Sequence, residues 1–127
     1  MKRLMLVNPV NPARTGLTVN RSSRFPPLGL GQVAGLTPAD WEVTLQDENW
    51  EPFAMAEADL VGLTAFTASA NRAYEIAAAY RERGTPVVMG GIHASMCSQE
   101  ALEHVDAVVV GEAESVWPRV VADFEAG

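Results

Sequence analysis

Apolar residues arrive along this chain in short, dense runs separated by glycine, proline and polar breaks. Leu4-Met5-Leu6-Val7 runs unbroken between Arg3 and Asn8-Pro9, the pattern of a strand buried on both faces and stopped by turn residues. The first strand is therefore expected from Arg3 to Asn8. From Pro9 to Pro27 periodicity disappears and a long loop is expected; loops of that length in small domains are usually functional or mobile. Leu28 to Leu36 has helical apolar spacing, with Pro27 where a first turn tolerates it and Pro38 as a stop. Trp41-Glu42-Val43-Thr44-Leu45-Gln46-Asp47 alternates apolar and polar, as a strand at the sheet edge does.

The second half repeats a strand-then-helix rhythm. Asp59 to Phe66 reads as a buried strand, and Ala68 to Arg83 follows as a helix with Tyr74, Ile76, Ala77 and Tyr80 at helical spacing, ending at Gly84. Pro86 to Gly91 is a fourth strand. Ser98 to His104 is a short helix with Ser98 as its expected cap, Asp106 to Gly111 a fifth strand, and Glu114 to Glu125 a last helix. Five strands alternating with helices predict a three-layer, doubly wound α/β domain: a parallel five-stranded sheet in the flavodoxin-like (Rossmann-like) order 2-1-3-4-5.

Composition narrows the partners. At 127 residues with 48% hydrophobic and 20% charged positions, the chain is long enough to bury one core without metal or disulfide support. The net charge of −7 argues against nucleic acid, which needs a basic footprint. One cysteine, Cys97, rules out an internal disulfide and the cysteine nest of an iron–sulfur cluster within these residues. The opening apolar run is shorter than the roughly 7–15 residues of a signal-peptide core, and none approaches the ~20 of a membrane span. A cytoplasmic protein is expected.

In doubly wound sheets ligands bind outside the carboxyl ends of the strands, where the winding reverses. Those ends are Asn8 and Pro9, Thr64-Ala65-Phe66-Thr67, Gly90-Gly91-Ile92-His93, and Gly111-Glu112-Ala113-Glu114. Threonine hydroxyls suit phosphate, amide or ribose groups, and a glycine pair either lets a ligand approach the backbone or supplies positive φ in an ordinary turn. A phosphoacceptor receiver would need a carboxylate ending strand three and a lysine ending strand five, where Thr64 and Gly111 stand. Neither the dinucleotide G-x-G-x-x-G after strand one nor a G-x-x-x-x-G-K-[ST] loop is present. Cys97, four positions after His93, reads as a packed thiol rather than a nucleophile. Glu114 reads as a partner of the last helix's dipole and His104 as a surface or dipole-interacting residue. Trp41, Trp50 and Trp117 read as structural.

Taken in order, Asn8-Pro9, Pro26-Pro27-Leu28-Gly29-Leu30, Asp47-Glu48-Asn49, Asp59 to Ala65, Gly90-Gly91-Ile92-His93-Ala94 and Val110-Gly111-Glu112-Ala113-Glu114 resemble the cobalamin-binding domain at the N-terminus of cobalamin-dependent radical S-adenosylmethionine proteins. The resemblance covers essentially the whole chain. It implies cobalamin lying over the carboxyl ends of the strands, with Thr64 and Thr67 on its nucleotide tail or phosphate, Gly90-Gly91 against the nucleotide, Phe66 flanking the corrin and Glu112 bounding the pocket. The methionine-synthase type of module carries D-x-H-x-x-G after its first strand, and this chain has no histidine there. The resemblance therefore implies a displaced tail with no such histidine beneath the cobalt; His93, the one histidine near the site, is weighed as an axial ligand and read instead as hydrogen-bonding or packing, so no metal ligand is assigned.

It further implies one domain over residues 1–127, forming the N-terminal part of a longer enzyme, with methyl transfer as the reaction type it would serve. The iron–sulfur cluster and S-adenosylmethionine would then belong to a downstream barrel. The alternatives are a stand-alone flavin- or nucleotide-binding domain using Arg14-Thr15-Gly16-Leu17-Thr18 as an anion loop, or a degenerate interaction domain.

Overall fold

A computed structural model describes residues 2–9, 33–48, 56–64, 70–91, 96–109 and 116–126. The strands are β1 (Lys2–Asn8), β2 (Trp41–Asp47), β3 (Leu60–Thr64), β4 (Val87–Gly90) and β5 (Ala107–Val108), and the helices α1 (Ala70–Glu82), α2 (Ser98–Leu102) and α3 (Trp117–Ala126), with a further helical turn at 33–36. All pairings are parallel and the order is β2-β1-β3-β4-β5, the flavodoxin-like order that the alternation of elements predicts.

Strand alternation divides the core into two. Met5, Val7, Val61, Leu63, Val87 and Met89 face α1 and α2, where Ala73, Ile76, Ala77 and Tyr80 close over them. Leu4, Leu6, Leu60 and Val88 face the other way, against Val33, Trp117 and Val121. A strand buried on both faces must be apolar at every position, which is why β1 reads as an unbroken run. The alanines of α1 let its axis approach the sheet. Gly62, on the α3 face, leaves room for the Leu6 side chain of the neighbouring strand: a β-carbon there would stand 2.7 Å from Leu6 Cδ2. Trp41 and Trp117 are structural, as expected: Trp41 Nε1 donates to Glu125 Oε1 at 3.2 Å, and Trp117 Nε1 donates to Thr37 Oγ1 at 2.9 Å.

The amino ends of the strands share one device. Asp59 donates its N–H to Arg3 O at 2.8 Å while its carboxylate accepts Arg3 N–H at 2.7 Å. Asp106 repeats this with Val87, donating at 2.9 Å and accepting at 2.8 Å. Each aspartate thereby fixes the register of its strand against a neighbour.

Several boundaries differ from expectation. Asp59 precedes β3 rather than opening it, Pro86 precedes β4, and the regular part of β5 is Ala107–Val108, extended by one bond from Val109 N–H to Met89 O at 2.8 Å. Ser98 is not the cap of α2: Cys97 occupies the N-cap position and makes no side-chain cap bond. His104, expected at the surface or interacting with the helix dipole, is not fully exposed. It is half-buried, and its ring stacks on Tyr74 with centroids 3.9 Å apart and planes inclined by 15°, because α2 is short enough for the following turn to reach α1. The helix α1 ends as its glycine predicts: Gly84 has φ 79°, with Thr85 N–H bonded to Tyr80 O at 3.0 Å and Gly84 N–H to Arg81 O at 2.9 Å.

Candidate functional site

The carboxyl ends of the strands form one row. Register pairs Asn8 with Asp47, Val7 with Leu63, and Thr64 with Gly90. Asn8, Thr64 and Gly90 are therefore successive positions across the three central strands. Side chains alternate along a strand, so residues two beyond Leu6, Gly62 and Val88 lie on the same side of the sheet as those residues, the α3 side. Asn8, Thr64, Gly90 and Gly91 are half-buried, and Pro9 is buried.

Gly90 and Gly91 do different things. Gly91 has φ 97°, a conformation that L side chains rarely adopt. Gly90 has no such requirement. A β-carbon built on it meets, among the described residues, only Val109 Cβ at 3.8 Å and Val109 O at 4.0 Å, which is ordinary contact. Among the described residues, nothing packed against Gly90 requires the absence of a side chain there. Of the two explanations open for this pair in the sequence, positive φ applies to Gly91 and not to Gly90.

Ala65, Phe66, Thr67, Ile92, His93, Gly111 and Glu112 lie outside the described residues, as do Trp50, Glu114 and the Arg14 to Thr18 segment. In sequence Ala65 to Thr67 follow directly on Thr64, and Ile92 and His93 on Gly91. The structure thus brings together Asn8, Pro9, Thr64, Gly90 and Gly91 and puts His104 elsewhere, on the α1–α2 face. There the Tyr74 hydroxyl donates to Glu100 Oε2 at 3.0 Å. Burial first, and then that carboxylate, push the Tyr74 phenol well above its ordinary pKa.

One rim feature has no counterpart in the sequence pattern. Arg72, the third residue of α1, forms a two-pronged ion pair with Glu48, the residue after β2: Nε to Oε1 is 3.1 Å and Nη2 to Oε2 is 2.9 Å. Its Nη1 also bonds Glu75 Oε2 at 3.1 Å. Both members of the first pair are largely covered, with side chains 25% and 13% exposed. The guanidinium is held above its ordinary pKa, chiefly by Glu48 and against the effect of burial. The one usable signal is local: an arginine in a first helical turn opposes the helix dipole and so calls for a carboxylate from elsewhere.

Among the described residues no group of three or more His, Cys, Asp and Glu is placed to hold a metal ion. Nor is any described helix long and apolar enough to cross a membrane. Chemically, the central row offers a hydroxyl, an amide and bare backbone, suited to binding a large polar molecule by neutral hydrogen bonds.

A family profile described as the B12 binding domain matches residues 14–121. The chain belongs to the B12-binding domain family. This B12-binding domain is 41% identical over 98 residues to bacteriochlorophyllide d C-8(2)-methyltransferase of Chlorobaculum tepidum, covering 76% of this chain and 22% of that protein. It is 33% identical over 129 residues to bacteriochlorophyllide d C-12(1)-methyltransferase of the same organism, covering 99% of this chain and 28% of that protein. An uncharacterized methyltransferase of Synechocystis is 30% identical over 113 residues, covering 86% of this chain and 21% of that one. The B12-binding domain therefore spans between about a fifth and rather more than a quarter of the length of these curated relatives. No solved structure matches it significantly.

Proposed function

We propose that residues 1–127 form a single module that holds cobalamin at the carboxyl rim for a larger cytoplasmic enzyme of methyltransferase type. The observation that carries this reading is the bare backbone of Gly90 beside Thr64, at the rim where doubly wound folds bind ligands, in a chain of the B12-binding family. The residues present fit the group: corrin side chains and the nucleotide phosphate are matched by hydroxyl, amide and backbone donors, and a flat or ribose-bearing surface is matched by a position without a β-carbon.

In this reading Asn8, Pro9, Thr64, Ala65, Phe66, Thr67, Gly90, Gly91, Ile92, His93, Gly111 and Glu112 hold the cofactor, and none of them is a catalytic residue. Thr64 and Thr67 take the nucleotide tail or its phosphate, and Gly90 gives it a surface to lie on. When bound, cobalamin supplies a cobalt centre suited to carrying methyl groups. The chain's own part is to bind and orient it. No histidine follows β1 in the sequence before His93, and His104 is engaged in its stack with Tyr74. These two facts favour a displaced tail without a D-x-H-x-x-G ligand. The names of the relatives and their greater length favour a methyltransferase whose further domains, a radical S-adenosylmethionine barrel with its iron–sulfur cluster, lie downstream.

Incubation with hydroxocobalamin or with flavin mononucleotide, followed by desalting, tests the binding reading through the visible spectrum. Cobalamin bands should travel with the protein and flavin bands should not. Retention of flavin alone, or of neither, contradicts it. Cobinamide, which lacks the nucleotide tail, should bind more weakly than hydroxocobalamin if the domain holds that tail; equal affinity would overturn the displaced-tail reading.

A further inference from the structure

We infer that Val109 is the apolar flank of the Gly90 position, and that a nucleotide tail therefore lies across the strands in one direction, its phosphate at Thr64 and its base against Val109. The inference rests on the cobalamin reading above. Val88 pairs with Ala107 and Met89 with Val108, and Val109 N–H donates to Met89 O at 2.8 Å. Val109 is thus the neighbour of Gly90 on the β5 side, as Thr64 is on the β3 side. Ala107 and Val109 belong to the core shared by Leu4, Leu6 and Val88, so the Val109 side chain stands on the α3 side of the sheet, the side to which positions 64 and 90 also alternate. It is the one described residue within 4 Å of the place a β-carbon of Gly90 would take, with its own Cβ at 3.8 Å.

Across this row the chemistry runs from an amide and a hydroxyl at Asn8 and Thr64, through bare backbone at Gly90, to a branched hydrocarbon at Val109 that is 6% exposed. Neighbouring strands lie about 4.8 Å apart, so the two flanks of Gly90 stand roughly 10 Å from each other, a span comparable with one nucleotide. A hydroxyl donates to a phosphate oxygen and a valine cannot. Phosphate set against Val109 would give up water with no donor in exchange, which is costly. An aromatic base has the opposite preference, because its faces gain from hydrocarbon contact. The β-branched side chain has few rotamers, and its place in the α3-side core makes it a fixed surface rather than an adaptable one.

Three variants of the chain, Val109→Ala, Val109→Thr and Thr64→Val, test this against three probes: hydroxocobalamin, cobinamide phosphate, which keeps the phosphate and lacks the base, and cobinamide, which lacks both. Each titration is run well below the melting temperature of the variant. Val109→Ala should weaken hydroxocobalamin about fivefold and leave cobinamide phosphate within about twofold of the parent chain. Val109→Thr, which keeps the shape and exchanges a methyl for a hydroxyl, should give the same pattern and answers the question if the alanine variant does not fold. Thr64→Val should weaken hydroxocobalamin and cobinamide phosphate alike, about fivefold each, and leave cobinamide unchanged. A Val109 variant that binds hydroxocobalamin as the parent does, or that weakens all three probes equally, overturns the orientation while leaving the site reading intact. So does a parent chain that binds cobinamide phosphate no better than cobinamide. If the parent chain fails to bind hydroxocobalamin, the site reading fails and the orientation fails with it.

Discussion

The two ends of the same five strands are built from different chemistry. At the amino end, carboxylates face backbone: Asp59 and Asp106 each exchange a pair of hydrogen bonds with a neighbouring strand, and Arg3 and Arg81 add ion pairs at 3.1 Å to Glu57 and 3.6 Å to Asp106. At the carboxyl end the central strands stop in Asn8, Thr64 and Gly90, which are small, neutral and half-buried. One end is closed on itself by groups that fix register. The other ends its central strands in neutral residues, with the Arg72–Glu48 ion pair to one side. Stability and binding should therefore separate by position along a strand.

The largest effect is expected from removing both amino-end carboxylates. The double variant Asp59→Ala/Asp106→Ala should lose about 2–4 kcal/mol, because two strand N–H groups lose charged acceptors at sites with no shared partner. Urea denaturation measures this, and the still-folded fraction should bind hydroxocobalamin as the parent does. Next comes Gly91→Ala, where φ of 97° makes any side chain strained by roughly 1–2 kcal/mol; the same denaturation shows it, with affinity falling as well. An alkaline titration tests a region away from both rims. Tyr74 has its folded pKa raised by burial and by Glu100, so its contribution is fully present below the unfolded phenol value of about 10 and is lost as pH rises above it. Stability should fall over that range, and less steeply in Tyr74→Phe. The smallest effect on stability belongs to Gly90→Ala, where a β-carbon meets only Val109 at 3.8 Å: a change within about 0.5 kcal/mol, with weakened cofactor binding.

Much of the architecture was legible because its signals were local. The unbroken Leu4 to Val7 run, the alternation of Trp41 to Asp47 and the glycine closing α1 each report burial or backbone geometry within a few residues. The row of Asn8, Thr64 and Gly90 followed from applying the rule for doubly wound sheets to those strands. What sequence could not supply was pairing across distance. Asp59 and Asp106 read as the first residues of strands, and their service to Arg3 and Val87, 56 and 19 residues away, is visible only once the sheet is assembled. His104 reads as a surface or dipole-interacting residue because nothing nearby in sequence announces Tyr74. Arg72 and Glu48, separated by 24 residues, belong to the same class. Ser98 suits a cap by residue type alone, yet the helix begins with Cys97 at that position.

The central claim is that the carboxyl rim at Gly90 is a binding surface rather than a folding requirement. Replacing Gly90 with valine, a residue that suits a strand, and measuring hydroxocobalamin affinity beside the urea midpoint tests it most directly. A midpoint close to that of the parent chain with binding reduced at least about tenfold is the predicted result. Full affinity in a folded Gly90→Val chain would contradict it.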